Sequence, residues 1–158
     1  MGGRWTFAAG KNVEYTYRTV GTIEGVKIVE GINGKHGLPE SSHSSLAYIK
    51  LDKNGNFYEM RLYDENHILY LEIAYHKEKN LTGNNTEPVL HYHTYDPSFS
   101  KTNIKNNKLR SNAKRITPEL YKKYKKYFKG VKVWKTEIQK NLLKWYIMEK
   151  ISILFLVG

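Results

Sequence analysis

Two tight-turn sequences, Asp52-Lys53-Asn54-Gly55 and Asp64-Glu65-Asn66-His67, sit between runs of alternating and β-branched residues, and nothing else in the chain constrains the fold as much. Asn-Gly tolerates the positive φ angles that a tight hairpin needs, so Leu46–Leu51 and Asn56–Tyr63 are expected to pair. The second turn leads into Ile68–His76, and the strand-turn-strand-turn-strand series is a β-meander. Upstream, Lys11–Val20 contains the alternating stretch Val13-Glu14-Tyr15-Thr16-Tyr17, and Ile23–Ile32 follows the turn-forming Gly21. Downstream, the polar loop Lys77–Glu87 leads through Pro88 into a last strand, Val89–Tyr95. The segment from Gly31 to Ser45 holds three Gly, one Pro and four Ser, which cannot sustain a regular ladder and reads as a loop.

Past Asp96-Pro97 the composition changes. Phe99–Lys114 is polar, Asn-rich and basic, and has no period. A helix is expected next: Thr117 is a suitable N-cap, Pro118 suits the first helical position, Glu119 complements the dipole and Gly130 ends the run. Leu120, Tyr121, Tyr124, Tyr127 and Phe128 make its apolar stripe, with Lys122, Lys123, Lys125, Lys126 and Lys129 on the other side. Val131-Lys132-Val133-Trp134 alternates like a short strand. Thr136–Gly158 is compatible with a helix or with a helix followed by a strand. Its apolar end, Ile151–Val157, is interrupted upstream by Glu149 and Lys150 and is too short for a bilayer, which takes about 20 apolar residues. It is expected to be buried in the core or in a dimer interface. The fold class that follows is α+β, an antiparallel meander sheet with C-terminal helices. Residues 1–96 would form the sheet domain carrying the site, and 97–158 a basic linker and helical segment packed on the same domain.

A chain of 158 residues suits one domain, and hydrophobic and aromatic fractions of 40% and 13% are too rich for intrinsic disorder. The absence of cysteine excludes disulfide scaffolds, thiolate metal sites and cysteine nucleophiles. The N-terminus lacks the charged start and apolar run of a signal peptide, which gives the expectation of a cytoplasmic protein. A net charge of +11 points to a polyanionic partner. That charge is uneven: residues 101–150 hold 16 basic and 3 acidic side chains, while the other 108 residues hold 10 basic and 12 acidic. Seven aromatics are interleaved in the basic stretch, a pattern suited to RNA or other nucleic acid.

The chemistry-bearing residues lie elsewhere. His91 and His93 are two apart in a strand and share a face. By the same alternation Glu72 and His76 share a face of the preceding strand, with Leu69, Leu71, Ile73 and Tyr75 opposite as core. If the two strands pair antiparallel, three imidazoles and a carboxylate meet. Two imidazoles can serve as base and acid in moving a 2′-hydroxyl proton and a leaving-oxygen proton, and a nearby cation would stabilise charge developing on phosphate. Arg61, Lys101 and Arg110 are candidates for that cation, and Lys122 and Lys126 for sequence-independent phosphate contact. Two His and a carboxylate would also suit Fe(II) or another divalent metal. A solvated sheet face making ordinary hydrogen bonds is the third possibility. The Gly31–Gly37 stretch has neither Walker nor dinucleotide spacing, and there is no Gly-x-Ser-x-Gly elbow.

Gly37-Leu38-Pro39 with its Ser-rich sequel, Lys50-Leu51-Asp52-Lys53-Asn54-Gly55, Arg61-Leu62-Tyr63-Asp64-Glu65-Asn66, Glu72-Ile73-Ala74-Tyr75-His76 and His91-Tyr92-His93-Thr94-Tyr95 together resemble C-terminal modules of bacterial polymorphic toxins. Similar modules occur in phage minor head proteins. The resemblance covers about residues 20–96. It implies a metal-independent RNase of the Barnase–EndoU–colicin–RelE type, with functional groups at Arg61, Asp64, Glu72, His76, His91 and His93. The leading expectation is therefore a toxin-like or phage-associated ribonuclease with no cofactor and His-based catalysis, in which an immunity or inhibitor protein is a possible partner. The alternative is a non-enzymatic phage structural or anti-defence module that docks nucleic acid or an acidic partner through its basic C-terminal segment. In either case oligomerisation would use the apolar C-terminus.

Overall fold

The runs expected as strands up to Tyr95 become strands of one seven-stranded sheet whose order follows the chain order, but the first turn falls at Glu24-Gly25 and not at Gly21, which lies within the first strand. The strands are β1 (Tyr17–Ile23), β2 (Val26–Gly31), β3 (Ala47–Leu51), β4 (Phe57–Tyr63), β5 (Leu69–Lys77), β6 (Pro88–Thr94) and β7 (Lys114–Arg115). The computed structural model describes residues 16–32, 34, 36–101, 109–132 and 138–157. All pairings are antiparallel except β2 with β3, which the Gly/Ser-rich loop makes parallel. The fold is thus α+β, with a mostly antiparallel sheet, one short helix between β5 and β6, and the longer helices C-terminal to the sheet.

The two turns that dominate the sequence share one construction. Asp52 Oδ1 accepts from the backbone N–H groups of Asn54 and Asn56 at 2.8 and 3.0 Å. Asp64 Oδ1 does the same for Asn66 and Ile68, again at 2.8 and 3.0 Å. Each turn closes on a residue in the left-handed region, Gly55 at φ 78° and His67 at φ 67°. The Asp side chain supplies the turn's hydrogen bonds, and so the second hairpin forms although a non-glycine residue occupies the left-handed position.

Both faces of the sheet are covered. On one face Ile28, Ile49, Met60, Leu62, Leu71, Ile73 and Leu90 pack with Phe57 beneath Ile116, Tyr124 and Phe128. The last two belong to the predicted helix, observed as α2 (Pro118–Tyr124, with α1 being the short Lys79–Thr82) and a 3-10 turn over Lys125–Tyr127. Thr117 caps it as expected, its hydroxyl accepting from Leu120 N at 3.2 Å, an interaction worth about 1 kcal/mol. On the other face Val29, Leu38, Tyr48, Tyr63, Leu69 and Tyr95 form a smaller cluster. Here the loop from His36 to Ser45 serves as a strap, with Leu38 inserted among the tyrosines.

Several expectations are corrected at the C-terminal end. The sheet does not stop at residue 96: β7 pairs with β6, and Arg110 bridges to Tyr95. Residues 110–114, read as linker, therefore join the sheet, and the helix that follows packs on the same domain. Val131 and Lys132 are not in a strand, and Val133 and Trp134 lie outside the described residues, as do 102–108. Helix α3 (Ile138–Val157) replaces the helix-or-strand alternative. Its apolar end is not buried in the chain's own core, Phe155 and Leu156 being 84% and 85% accessible. Among the described residues no helix is long and apolar enough to cross a membrane.

Ile116, Tyr124 and Phe128 are each under a tenth exposed. Burying a large apolar side chain contributes about 1.5–3 kcal/mol, so these three together rival the roughly 5–15 kcal/mol that holds an ordinary domain folded. A chain ending at Asp96 is therefore expected to lose its cooperative thermal transition by circular dichroism. A sharp transition in that truncated chain would show that the tail is dispensable.

Candidate functional site

Alternation along the strands and the pairing register put two polar rows on the face beneath the strap. Tyr48, Arg61, Glu72 and His93 are successive cross-strand partners from β3 to β6. In the neighbouring row come Lys50, Glu59, Ala74, His91 and Arg115. The expected meeting of Glu72 with His93 is thus a register fact. This face divides into an ion-pair half and a histidine half.

The ion-pair half centres on Glu72, whose side chain is 2% exposed. Its Oε2 accepts from Arg61 Nε at 2.7 Å and from the Tyr95 hydroxyl at 2.9 Å, and its Oε1 accepts from Arg110 Nη2 at 3.0 Å. Burial alone would raise the Glu72 pKa. The two guanidiniums and the hydrogen bonds outweigh it and hold the carboxyl at about 2. Arg61 is bound from above as well, since its Nη1 donates to the carbonyl of Leu38 at 2.7 Å, with that of Pro39 at 3.4 Å. Tyr63 donates its hydroxyl to Pro39 O beside it. Glu59 Oε1 stands 3.2 Å from Arg61 Nε but gains no hydrogen bond from it, that N–H being directed at Glu72. Burial first, and the charge of Glu72 second, push Glu59 up to about 7, against the pull of Arg61 and Lys50.

The histidine half is built from rings in sequence. His76 lies 4.6 Å from His91, centroid to centroid, and His91 lies 5.5 Å from His93, both edge to face. Tyr58 extends the series at 5.4 Å from His76. His91 Nδ1 is 2.7 Å from Val89 O and His93 Nδ1 is 2.9 Å from Ser111 O. A carbonyl accepts only, so Nδ1 carries the proton in both and Nε2 is the acceptor nitrogen. Both rings are buried, at 0% and 4% exposed, and neither Nε2 has a hydrogen-bond partner among the described residues. Burial is the leading cause that lowers both pKa values, taking His91 down to about 4, so the rings are neutral at pH 7. His76 is only half-buried. Its Nδ1 is 3.1 Å from Lys77 O, and the ring lines a cleft of about 430 Å³ with Asp52, Tyr58, Tyr75, Lys77 and Pro88.

The sequence-derived candidates therefore separate. Glu72, Arg61, Arg110, His91 and His93 are brought together, and His76 joins them at the cleft. Arg61 is committed to Glu72 and the strap and is not presented to a ligand. Arg110 is 43% exposed, and its positive charge acts on His93. Asp64 serves its turn. Lys101 lies in the turn after the 3-10 segment Pro97–Ser100. Lys122 sits on α2 and Lys126 on the 3-10 turn that follows it, a segment that packs on the opposite face of the sheet. Their ammonium groups lie over Trp145 and Tyr127, at 5.5 and 5.1 Å. Sequence reasoning missed two residues. Glu59 was not read as a partner of Glu72, although alternation in β4 aligns it with Arg61. Glu78, just past β5, lies with His91 and His93 in a cluster whose ligand atoms, one from each residue, are all within 4.8 Å of one another.

No protein-family model, no curated protein and no solved structure matches the chain.

Two outcomes follow from the ion-pair half. Glu72→Ala leaves buried guanidinium charge uncompensated, a defect that typically costs about 3–5 kcal/mol, and urea denaturation is expected to show a loss of that size. An unchanged midpoint would mean that the network is not tied to folding. Glu59, with its raised pKa, binds its proton in the folded chain over a range where the unfolded chain has released it. Its contribution to stability is complete below about pH 4.5 and is lost as pH rises through about 7. His91 and His93 have lowered pKa values and run the other way, so the comparison is between variant and wild type. Glu59→Gln is expected to lose less stability than wild type between pH 5 and pH 8, measured as Tm against pH. Parallel profiles would refute the assignment.

Proposed function

We propose that the chain cleaves RNA phosphodiesters at the cleft lined by His76, as a ribonuclease of toxin-like or phage-associated type. The observation that carries this reading is the continuous row of imidazoles, His76, His91 and His93, running from the cleft into the sheet beside the half-exposed Arg110. His91 and His93 are too buried to touch a polymer, so the proton-transferring role falls to His76, with its two neighbours fixing its position. With Nδ1–H donated to Lys77 O, His76 offers Nε2 as a base. It takes the 2′-hydroxyl proton as the 2′-oxygen bonds to phosphorus and the bond to the 5′-oxygen breaks. The leaving oxygen is protonated from solvent in the open cleft, and the products are a 2′,3′-cyclic phosphate and a free 5′-hydroxyl. Arg110 is the cation positioned to attract phosphate near the histidine half.

A second reading, a non-enzymatic module that docks nucleic acid, draws support from α2. Its exposed lysines lie across the sheet from the histidines, where they cannot assist chemistry at the cleft. On this reading the basic surface acts alone through phosphate contacts.

Incubation of the full chain with a single-stranded RNA oligonucleotide separates the two. Cleavage to cyclic-phosphate ends is expected, falling about 100-fold or more in His76→Ala, the usual scale for removal of a general base. Intact RNA with the wild-type chain, or equal rates for wild type and His76→Ala, would refute the catalytic reading. Salt-dependent RNA binding without cleavage, weakened in Lys122→Ala/Lys126→Ala, would favour the docking module.

A further inference from the structure

Glu78 is partly exposed at the start of α1, where its Oε1 caps the helix by accepting from Asn80 N at 3.3 Å. One of its carboxylate oxygens and one ring nitrogen from each of His91 and His93 lie within 4.8 Å of one another. For both histidines the nitrogen left over is Nε2, because Nδ1 is engaged with a backbone carbonyl. A histidine whose Nδ1–H is fixed by a carbonyl has the tautomer and orientation of a metal ligand. A buried acceptor without a partner normally costs about 1–3 kcal/mol, and two of them side by side next to a carboxylate call for a shared cation.

We propose that Glu78, His91 and His93 form a binding site for one divalent transition metal of the zinc class. The carboxylate in this site is Glu78, not Glu72. Glu72 has both oxygens engaged by Arg61, Arg110 and Tyr95, and the carboxylate grouped with the two imidazoles is that of Glu78. Two imidazoles and one carboxylate match the borderline donor set of zinc, and three protein donors leave a fourth position for water or a phosphate oxygen. Zinc bonds to nitrogen and oxygen at about 2.0–2.2 Å hold donors roughly 3.4 Å apart, so binding draws the cluster inward. Glu78 is the member able to move: its cap bond is long, α1 has four residues, and the two rings are held in β6. The metal would sit behind His76 in the ring series, and its binding does not depend on RNA cleavage.

Titration of the purified full chain with Zn2+ by calorimetry, and with Co2+ by visible absorption, tests the site without any activity measurement. One metal per chain is expected, with Co2+ giving the intense bands of a low-coordinate N/O site and Zn2+ raising Tm. Glu78→Gln, a half-exposed change that leaves both rings in place, is expected to weaken binding at least about tenfold, since even indirect partners of metal ligands cost about 10–100-fold. His93→Gln should abolish the cobalt bands, and His76→Ala should leave them unchanged. Absence of stoichiometric binding by the wild-type chain would overturn the proposal, as would binding indifferent to Glu78→Gln or lost in His76→Ala. Circular dichroism of each variant excludes unfolding as the cause of a loss. RNA cleavage that fails while metal binding persists would refute the cleavage reading alone.

Discussion

A single carboxylate in a place without water organises this molecule. Glu72 cannot remain charged inside the sheet unless cations reach it, and the two that do come from segments on either side of it in the chain. Arg61 arrives from β4 and carries the strap with it through Leu38 O and Pro39 O. Arg110 arrives from beyond the last long strand, and the Tyr95 hydroxyl adds a third hydrogen bond. A buried ion pair adds little net stability over a well-packed apolar set, because desolvation cancels most of the attraction. Its value lies in exclusion. Any arrangement that removes the strap or the segment around Arg110 leaves charge buried and unpaired, so the network selects one way of closing the sheet.

The same constraint explains which parts of the structure could be read in advance. The meander was legible because Asp-x-Asn-Gly and Asp-x-Asn-His turns build their hydrogen bonds locally, and α2 because its cap and lysine-free stripe are local too. The common face of Glu72, His76, His91 and His93 followed from the two-residue period of a strand. The partners of each residue did not follow. Period two places Arg61 and Glu59 on the face as surely as His93, but only register and the descent of the strap decide that Arg61 is taken by Glu72. Glu78 escaped because it lies one residue beyond β5, where the chain leaves the pleat and period counting stops. The end of α3 went against the expectation of burial in the core, since an apolar heptapeptide carries no information about whether another surface of its own chain is within reach.

Charge had to be reinterpreted as well. The basic surplus belongs to residues 101–150, and on sequence alone it looked like one electrostatic appendage. Folding divides it between the two faces of the sheet. Arg110 crosses to the polar face and neutralises a buried carboxylate, while the lysines of α2 and the turn after it remain outside over the apolar face, several of them lying on aromatic rings. Net charge therefore measures two unrelated things here, a structural counter-charge and a surface field.

The contrast between the two halves of the polar face is what gives the histidines their interest. Around Glu72 both oxygens are bonded and the carboxylate is matched by guanidiniums, so that half serves shape, with the exposed side of Arg110 left open to a ligand. Around His91 and His93 the opposite holds: the rings are neutral, fixed through Nδ1, and carry acceptor nitrogens that no hydrogen-bond donor among the described residues meets. Folding ordinarily eliminates such atoms, because an apolar side chain of similar volume would fill the same space without the desolvation cost. A sheet that satisfies one buried carboxylate so fully and leaves two imidazoles open a few ångströms away has divided its polar face between holding the fold together and binding something else.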